Sequence, residues 1–304
     1  MRKGLTRRTF LGNAAFAGAA SALGVTPAIA ENSATGDSIE IDTNKLKVVV
    51  DPSTCRWSAQ VKETQMSIDD VYFLPNDDPA GWRVSNAVNK ADDNELGSFV
   101  TVTLHGTKTG ELDFDYQISV SKTGNDILIA LGRTNNTGKS ISIHSMDYFV
   151  SSDARLGNTS DKWISLGTHS HNGEYYDDLS PVSDLISPKM YEVNHVIRDA
   201  VTGNSLLMGH VTTTKGASRF EVTTNWEGKA YDRMQVRGYC SYKVAMPPGK
   251  SFAGEKLLIS FNTDALRAME HQADLIAIAH DVRLKQRRPI ARCPSSWPTV
   301  RSTG

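Results

Sequence analysis

The chain has 304 residues, 33 Lys plus Arg against 34 Asp plus Glu, and 39% apolar residues. This balance describes a folded globular protein and excludes collagenous, disordered and multi-spanning membrane chains, and the length admits one large or two ordinary domains. A formal charge of -1 argues against nucleic acid as a partner, and 3 cysteines are too few for a disulfide scaffold.

The first thirty residues read as an address. Arg2, Lys3, Arg7 and Arg8 precede an apolar, Ala-rich run from Phe10 to Val25, and Ala28-Ile29-Ala30 supplies a small-residue cleavage site. This is the order of a secretory signal. Thr6-Arg7-Arg8-Thr9-Phe10-Leu11 is similar to the twin-arginine export motif, with Gly12 where a Lys is usual. Gly12, Asn13, Gly18 and Ser21 make the apolar run mild, which suits that route, and its length falls short of the roughly 20 residues a spanning helix needs. The expectation is cleavage after Ala30, delivery by the twin-arginine translocation machinery to the periplasm or the medium, and no membrane association afterwards. Removing residues 1–30 takes four basic residues and leaves 29 against 34 acidic ones, a formal charge of -5. A mildly acidic surface is a poor match for nucleic acid or anionic lipid.

From Ser38 the dominant period is two. Ile39 and Ile41, then Leu46, Val48 and Val50, alternate with polar residues. Further strands are predicted around 99–104, 114–120, 127–131, 141–144, 206–208, 219–222, 234–236 and 256–261. Gly/Asn/Pro turns separate them, as at Lys122–Asp126, Asn135–Gly138 and Pro247–Gly249. Half-buried strands joined by short turns give a large antiparallel β-sandwich over 31–262. Trp57, Trp82 and Trp226 sit in or beside strand-like runs and read as packing residues. One connector helix is predicted over 263–285, capped by Asn262 or Thr263. Its apolar stripe of Leu266, Met269, Ala273, Ile276 and Ala277 either packs on its own sandwich or supports a homo-oligomer. Residues 286–304 form a tail without periodicity.

An export signal, a strand-rich body, a connecting helix and a Pro-rich segment ending at Trp297 resemble family 36 of the glycoside hydrolases, which holds α-galactosidases and raffinose-synthase-like enzymes. Pro294-Ser295-Ser296-Trp297 is similar to the start of the P-x-G-W-C-S-W motif that opens the family's barrel, with Ser296 for Gly, whereas Pro298-Thr299-Val300-Arg301 departs from it. Gly167 and Ser170 fit an N-G-x-x-S-W segment of the family's sandwich, with His171 in place of the Trp, and Arg133–Gly138 is similar to one of its strand-turn segments. The resemblance implies an N-terminal β-supersandwich followed by a linker helix and a (β/α)8 barrel, of which this chain holds at most the start. The family's paired catalytic aspartates lie on barrel strands, so no catalytic residue carries over.

Between 161 and 189 the period is lost while aromatic and polar groups gather. Long irregular segments on a rigid sandwich are where binding sits. Trp163, His169, His171, Tyr175 and Tyr176 are the carbohydrate-binding candidates, since rings stack on sugar faces and imidazoles bind hydroxyls. The rivals are a self-contained lectin-like module and a polysaccharide-active enzyme using His169 or His171 with a Tyr as acid and base. His169 and His171 share a strand phase beside Glu174, but a third protein ligand is lacking, so no metal is expected, and no cofactor motif occurs. The Asp pairs 69–70, 77–78, 92–93 and 177–178 read as solvated turn residues. Cys55 and Cys240 could form a disulfide in an oxidising compartment, which the sequence leaves open.

Overall fold

A computed structural model describes residues 38–74, 77–171, 174–181, 189–224 and 232–282, with the backbone alone for 169–171, 174–181 and 189. In chain order the strands are β1 (Ile39–Asp42), β2 (Leu46–Asp51), β3 (Arg56–Val61), β4 (Ser67–Val71), β5 (Arg83–Asn94), β6 (Gly97–Thr107), β7 (Asp113–Ser121), β8 (Asp126–Thr134) and β9 (Ile141–Arg155). They continue as β10 (Trp163–His171), β11 (Glu174–Pro181), β12 (Lys189–Tyr191), β13 (Asn194–Asp199), β14 (Ser205–His210), β15 (Ala217–Thr223), β16 (Met234–Met246) and β17 (Ser251–Asn262), before the helix α1 (Ala265–Ala279). An eight-stranded sheet runs β1-β2-β3-β4-β9-β16-β15-β12, and a nine-stranded sheet runs β11-β10-β13-β14-β17-β8-β7-β6-β5. The large antiparallel β-sandwich expected from the alternation is therefore the observed fold.

The alternating residues build the core directly. On β2, Leu46, Val48 and Val50 have 0% exposure, and on β7 so do Phe114, Tyr116, Ile118 and Val120. Both sets meet in one cluster between the sheets. Polar stitches cross that cluster. The Trp57 indole donates to the Tyr116 hydroxyl at 3.0 Å, and Tyr116 donates to the Tyr148 carbonyl at 2.8 Å, linking β3, β7 and β9. Buried polar groups need such partners, because an unmade bond costs more than a made one gains.

The helix packs on its own sandwich, against the outer face of the nine-stranded sheet, where Val196, Leu207, Leu258 and Leu128 meet Ala265, Ala268 and Leu275. Asp264, not Asn262 or Thr263, is its cap: the carboxylate accepts from the Leu266 and Arg267 amides at 3.0 and 3.3 Å. The buried stripe is also offset from the expected one. Leu266 and Ala273 face outward, while Ala265, Ala268, Gln272 and Leu275 face the sheet. Close approach explains the exchange. Gln272 donates to the carbonyls of Val193 and His210 at 3.2 and 3.0 Å and accepts from Asn194 at 3.0 Å. A large apolar side chain there would hold the helix away from those groups. Residues 283–285 of the predicted helix and the tail lie outside the described residues, as do the export signal and Trp226. No helix of the described residues is long and apolar enough to cross a membrane.

One further expectation is corrected, and one open question is answered. The stretch 163–181 is a regular hairpin of β10 and β11, not an irregular loop. Its alternation is disguised because the core-facing positions are Trp163, Ser165 and Gly167, while Ile164 and Leu166 occupy the opposite face and Leu166 packs toward the helix cluster. Cys55 and Cys240 are both buried free thiols, with no disulfide between them.

Candidate functional site

The outer face of the nine-stranded sheet is divided in two. The helix roofs its apolar half, and the remaining half, built by β5 to β8 and β17, is open and polar. On β6 and β7 the core positions are Val102, Leu104, Ile118 and Val120. The outward positions between them are Thr101, Thr103, Gln117 and Ser119, which line a cavity of about 340 Å³.

The floor consists of two rows of directly paired residues. One row runs Asn89–Thr101–Ser119–Leu128 from β5 to β8. The other runs Thr103–Gln117–Ala130–Lys256 from β6 to β17. Directly opposite residues in an antiparallel pair hold their Cβ atoms about 5 Å apart, so each row is a fixed ladder. The wall is raised by β5. Asn89 pairs with Thr101 and Asp92 with Phe99, so β5 holds one more residue than β6 across this interval, a β-bulge. The bulge puts both Asn89 and Asp92 on the groove side, which strict alternation would forbid. Asn94 completes the wall, and Leu96 and Phe99 pack beside Leu128 into the helix cluster.

The polar groups are oriented by one another. The Thr101 hydroxyl lies 2.5 Å from Asp92 Oδ2 and 2.7 Å from the Ser119 hydroxyl. With a single proton, it serves both by donating to the carboxylate and accepting from Ser119. Asn94 Nδ2 reaches Asp92 Oδ1 at 3.3 Å. Two residues along the strands, His105 and Asp115 face each other across β6 and β7, with Nδ1 2.8 Å from the carboxylate and both side chains about half exposed. That contact orients the imidazole against the carboxylate. The groove thus offers hydroxyls, amides, one carboxylate and one ammonium over an apolar patch at Leu128 and Ala130. Among the described residues no group of His, Cys, Asp or Glu is arranged to hold a metal.

The candidates from the sequence lie elsewhere. Trp163 is 2% exposed in the core, and its indole nitrogen has no hydrogen-bond partner among the described residues. The register of the β10–β11 hairpin sets His169 opposite Tyr176, His171 opposite Glu174 and Tyr175 opposite Ser170. His169, His171 and Tyr176 therefore share a strand phase that Tyr175 does not. Their side chains lie outside the described residues. Beside them, Gly167 lies directly beneath the Tyr191 ring, and the Ser165 hydroxyl is 2.8 Å from His195 Nε2. Sequence reasoning assigned Asp92 to a turn and passed over Thr101, Thr103, Gln117 and Ser119. The available signal was the lack of charge at successive outward positions of two adjacent strands.

No protein-family model matches the chain, and no curated protein matches it. Among solved structures 85 chains match. A galactose mutarotase related enzyme from Lactobacillus acidophilus superposes with a TM-score of 0.51 at 10% identity, over 75% of this chain and 99% of that one. The ligand-free alpha-N-acetylgalactosaminidase NagBb from Bifidobacterium bifidum gives 0.54 at 9% identity, over 80% of this chain and 39% of the enzyme. The chain shares its β-sandwich fold with these proteins. A GH36 alpha-galactosidase from Geobacillus stearothermophilus, solved with raffinose, gives 0.50 at 10% identity over 79% and 42%. The shared sandwich thus spans nearly the whole of the first protein and about two-fifths of the two glycosidases, in line with the expected likeness to a family 36 N-terminal sandwich. At these identities the likeness concerns the fold and carries no catalytic residue across.

Proposed function

We propose that this chain is a carbohydrate-binding β-sandwich whose ligand occupies the groove on the outer face of the nine-stranded sheet. The observation that carries this reading is the floor of mostly uncharged hydrogen-bonding side chains, Thr101, Thr103, Gln117 and Ser119, set at fixed cross-strand spacing beside Leu128 and Ala130. Sugar hydroxyls need directional donors and acceptors once they leave water, and sugar C–H faces need apolar surface. Rigid strands hold both kinds of group in place before the ligand arrives, which lowers the ordering cost of binding. One carboxylate and one ammonium in the groove suit recognition better than paired acid–base chemistry. Galactose mutarotase-like and glycosidase proteins sharing the fold support the carbohydrate class. Calorimetric titration with neutral saccharides tests the reading. Gln117→Ala and Thr103→Val are each expected to weaken binding about tenfold or more, the loss of one to two hydrogen bonds, at an unchanged melting temperature. Undiminished binding in both variants would sink it.

A second reading places the ligand at the β10–β11 hairpin, on His169, His171, Tyr175 and Tyr176. The register that sets His169 opposite Tyr176 favours it. His169→Ala and Tyr176→Ala separate the two sites, because β10 and β11 are not among the strands that line the groove. We also place the protein outside the cytoplasm by way of the twin-arginine route, on the strength of Arg7-Arg8 and the Ala28–Ala30 site. Retention in the cytoplasm of an Arg7→Lys, Arg8→Lys variant, against export of the parent, is the corresponding check.

A further inference from the structure

We infer that the groove takes an extended oligosaccharide laid across the strands, not a single sugar ring. This inference rests on the carbohydrate reading and narrows it. The lining residues come from five neighbouring strands, β5, β6, β7, β8 and β17. Four interstrand steps at about 4.8 Å give a floor roughly 19 Å long, measured perpendicular to the strands. One pyranose ring covers only a fraction of that length, and several residues joined end to end cover it.

The floor is also low and continuous. Between its ends it carries Thr101, Thr103, Ser119 and Ala130, short side chains that leave a channel, with Gln117 as the longest group reaching into it. Here the β5 bulge lifts Asn89 and Asp92 at one end, and one flank is bounded where Leu96 and Phe99 abut the helix cluster.

The two ends differ chemically. At β5 the ligand meets Asn89 and Asp92, the latter fixed by Thr101. At β17 it meets Lys256 beside the apolar Leu128 and Ala130. Unlike ends give a bound chain a preferred direction. Asn89 and Lys256 stand at opposite ends and cannot both reach one ring, which separates the proposal from a monosaccharide site.

The experiment uses the full chain and neutral gluco-, galacto- and manno-oligosaccharides from monosaccharide to hexasaccharide. An array selects the series and titration calorimetry gives affinities. Affinity is expected to rise at least about tenfold between the monosaccharide and the tetrasaccharide, then level off. Asn89→Ala and Lys256→Met are each expected to reduce the affinity of the tetrasaccharide several-fold and to leave that of a disaccharide within about twofold for at least one of them. Equal affinity for the monosaccharide and the longer members, abolished by Gln117→Ala, overturns the extended-ligand inference and leaves the carbohydrate reading standing. Failure of every member to bind a protein with a normal melting transition overturns both.

Discussion

The seat of α1 on the sandwich makes a quantitative prediction about two residues that the sequence gives no reason to connect. A Cβ added at Gly209 would lie 2.2 Å from Gln272 Nε2 and 2.6 Å from its amide carbon. Gly209→Ala must therefore expel the Gln272 amide from its place. The three hydrogen bonds of that amide, to the Val193 and His210 carbonyls and from Asn194, go with it. At about 1 kcal/mol net for each buried bond, the cost is about 3 kcal/mol. Gln272→Ala removes the same three bonds and should cost about the same. The double variant leaves the methyl room and has no further bonds to lose, so its cost should stay near 3 kcal/mol, not double. A protein of this size shifts by about 2–4 °C per kcal/mol, so each single variant should melt roughly 6–12 °C below the parent and the double variant no lower than the singles. Scanning calorimetry with all four proteins reads this cycle. Additive losses would refute the claim that Gly209 acts through Gln272.

His271 on α1 lies 2.9 Å from Asp126 on β8, and this contact holds its pKa above the ordinary histidine value despite partial burial. The contribution is then fully present below the unfolded value of about 6.5 and is lost as pH rises through the folded pKa. The melting-temperature gap between the parent and His271→Ala should accordingly shrink from pH 6 to pH 8, by a small amount because the pair is part exposed, and a gap that widens contradicts this. Burial pushes the thiols of Cys55 and Cys240 up to about 12. Since the thiolate is the reactive form, a Cys293→Ser variant should not react with a disulfide reagent at pH 8 until it is unfolded, and should then release two equivalents without a reductant. Fast reaction of the folded protein would contradict the buried, unpaired state.

Strands whose two faces meet different surroundings were legible. β2, β6 and β7 alternate because one face meets the core and the other water or the groove. β13 escaped, and β14 showed only as the short apolar run 206–208, because the helix covers their outer face: Val196 and Leu207 are as buried as Ile197 and Leu206, which leaves no period of two to find. β10 escaped for a related reason, its core positions being Ser165 and Gly167, where Tyr191 and His195 fill the space. The helix was found but its phase was not, because apolarity marks Leu266, whereas contact with the sheet backbone selects Ala265, Ala268 and Gln272. The groove was illegible at Asp92 because the bulge moves it out of the phase set by Asn89. Recognition of such a site from sequence requires knowing where a ladder slips, and slippage depends on the partner strand.

That slip has a second consequence, for solubility. At 12 residues, β5 is long for a strand, and it lies at the margin of its sheet with one row of amides and carbonyls unpaired among the described residues. A straight edge of that length is a template on which another chain can add a strand. The extra residue between Asn89 and Asp92 breaks the even spacing of those groups, and Lys90 places a charge at the break. The irregularity that shapes the binding wall thus also keeps the edge from continuing into a neighbouring molecule.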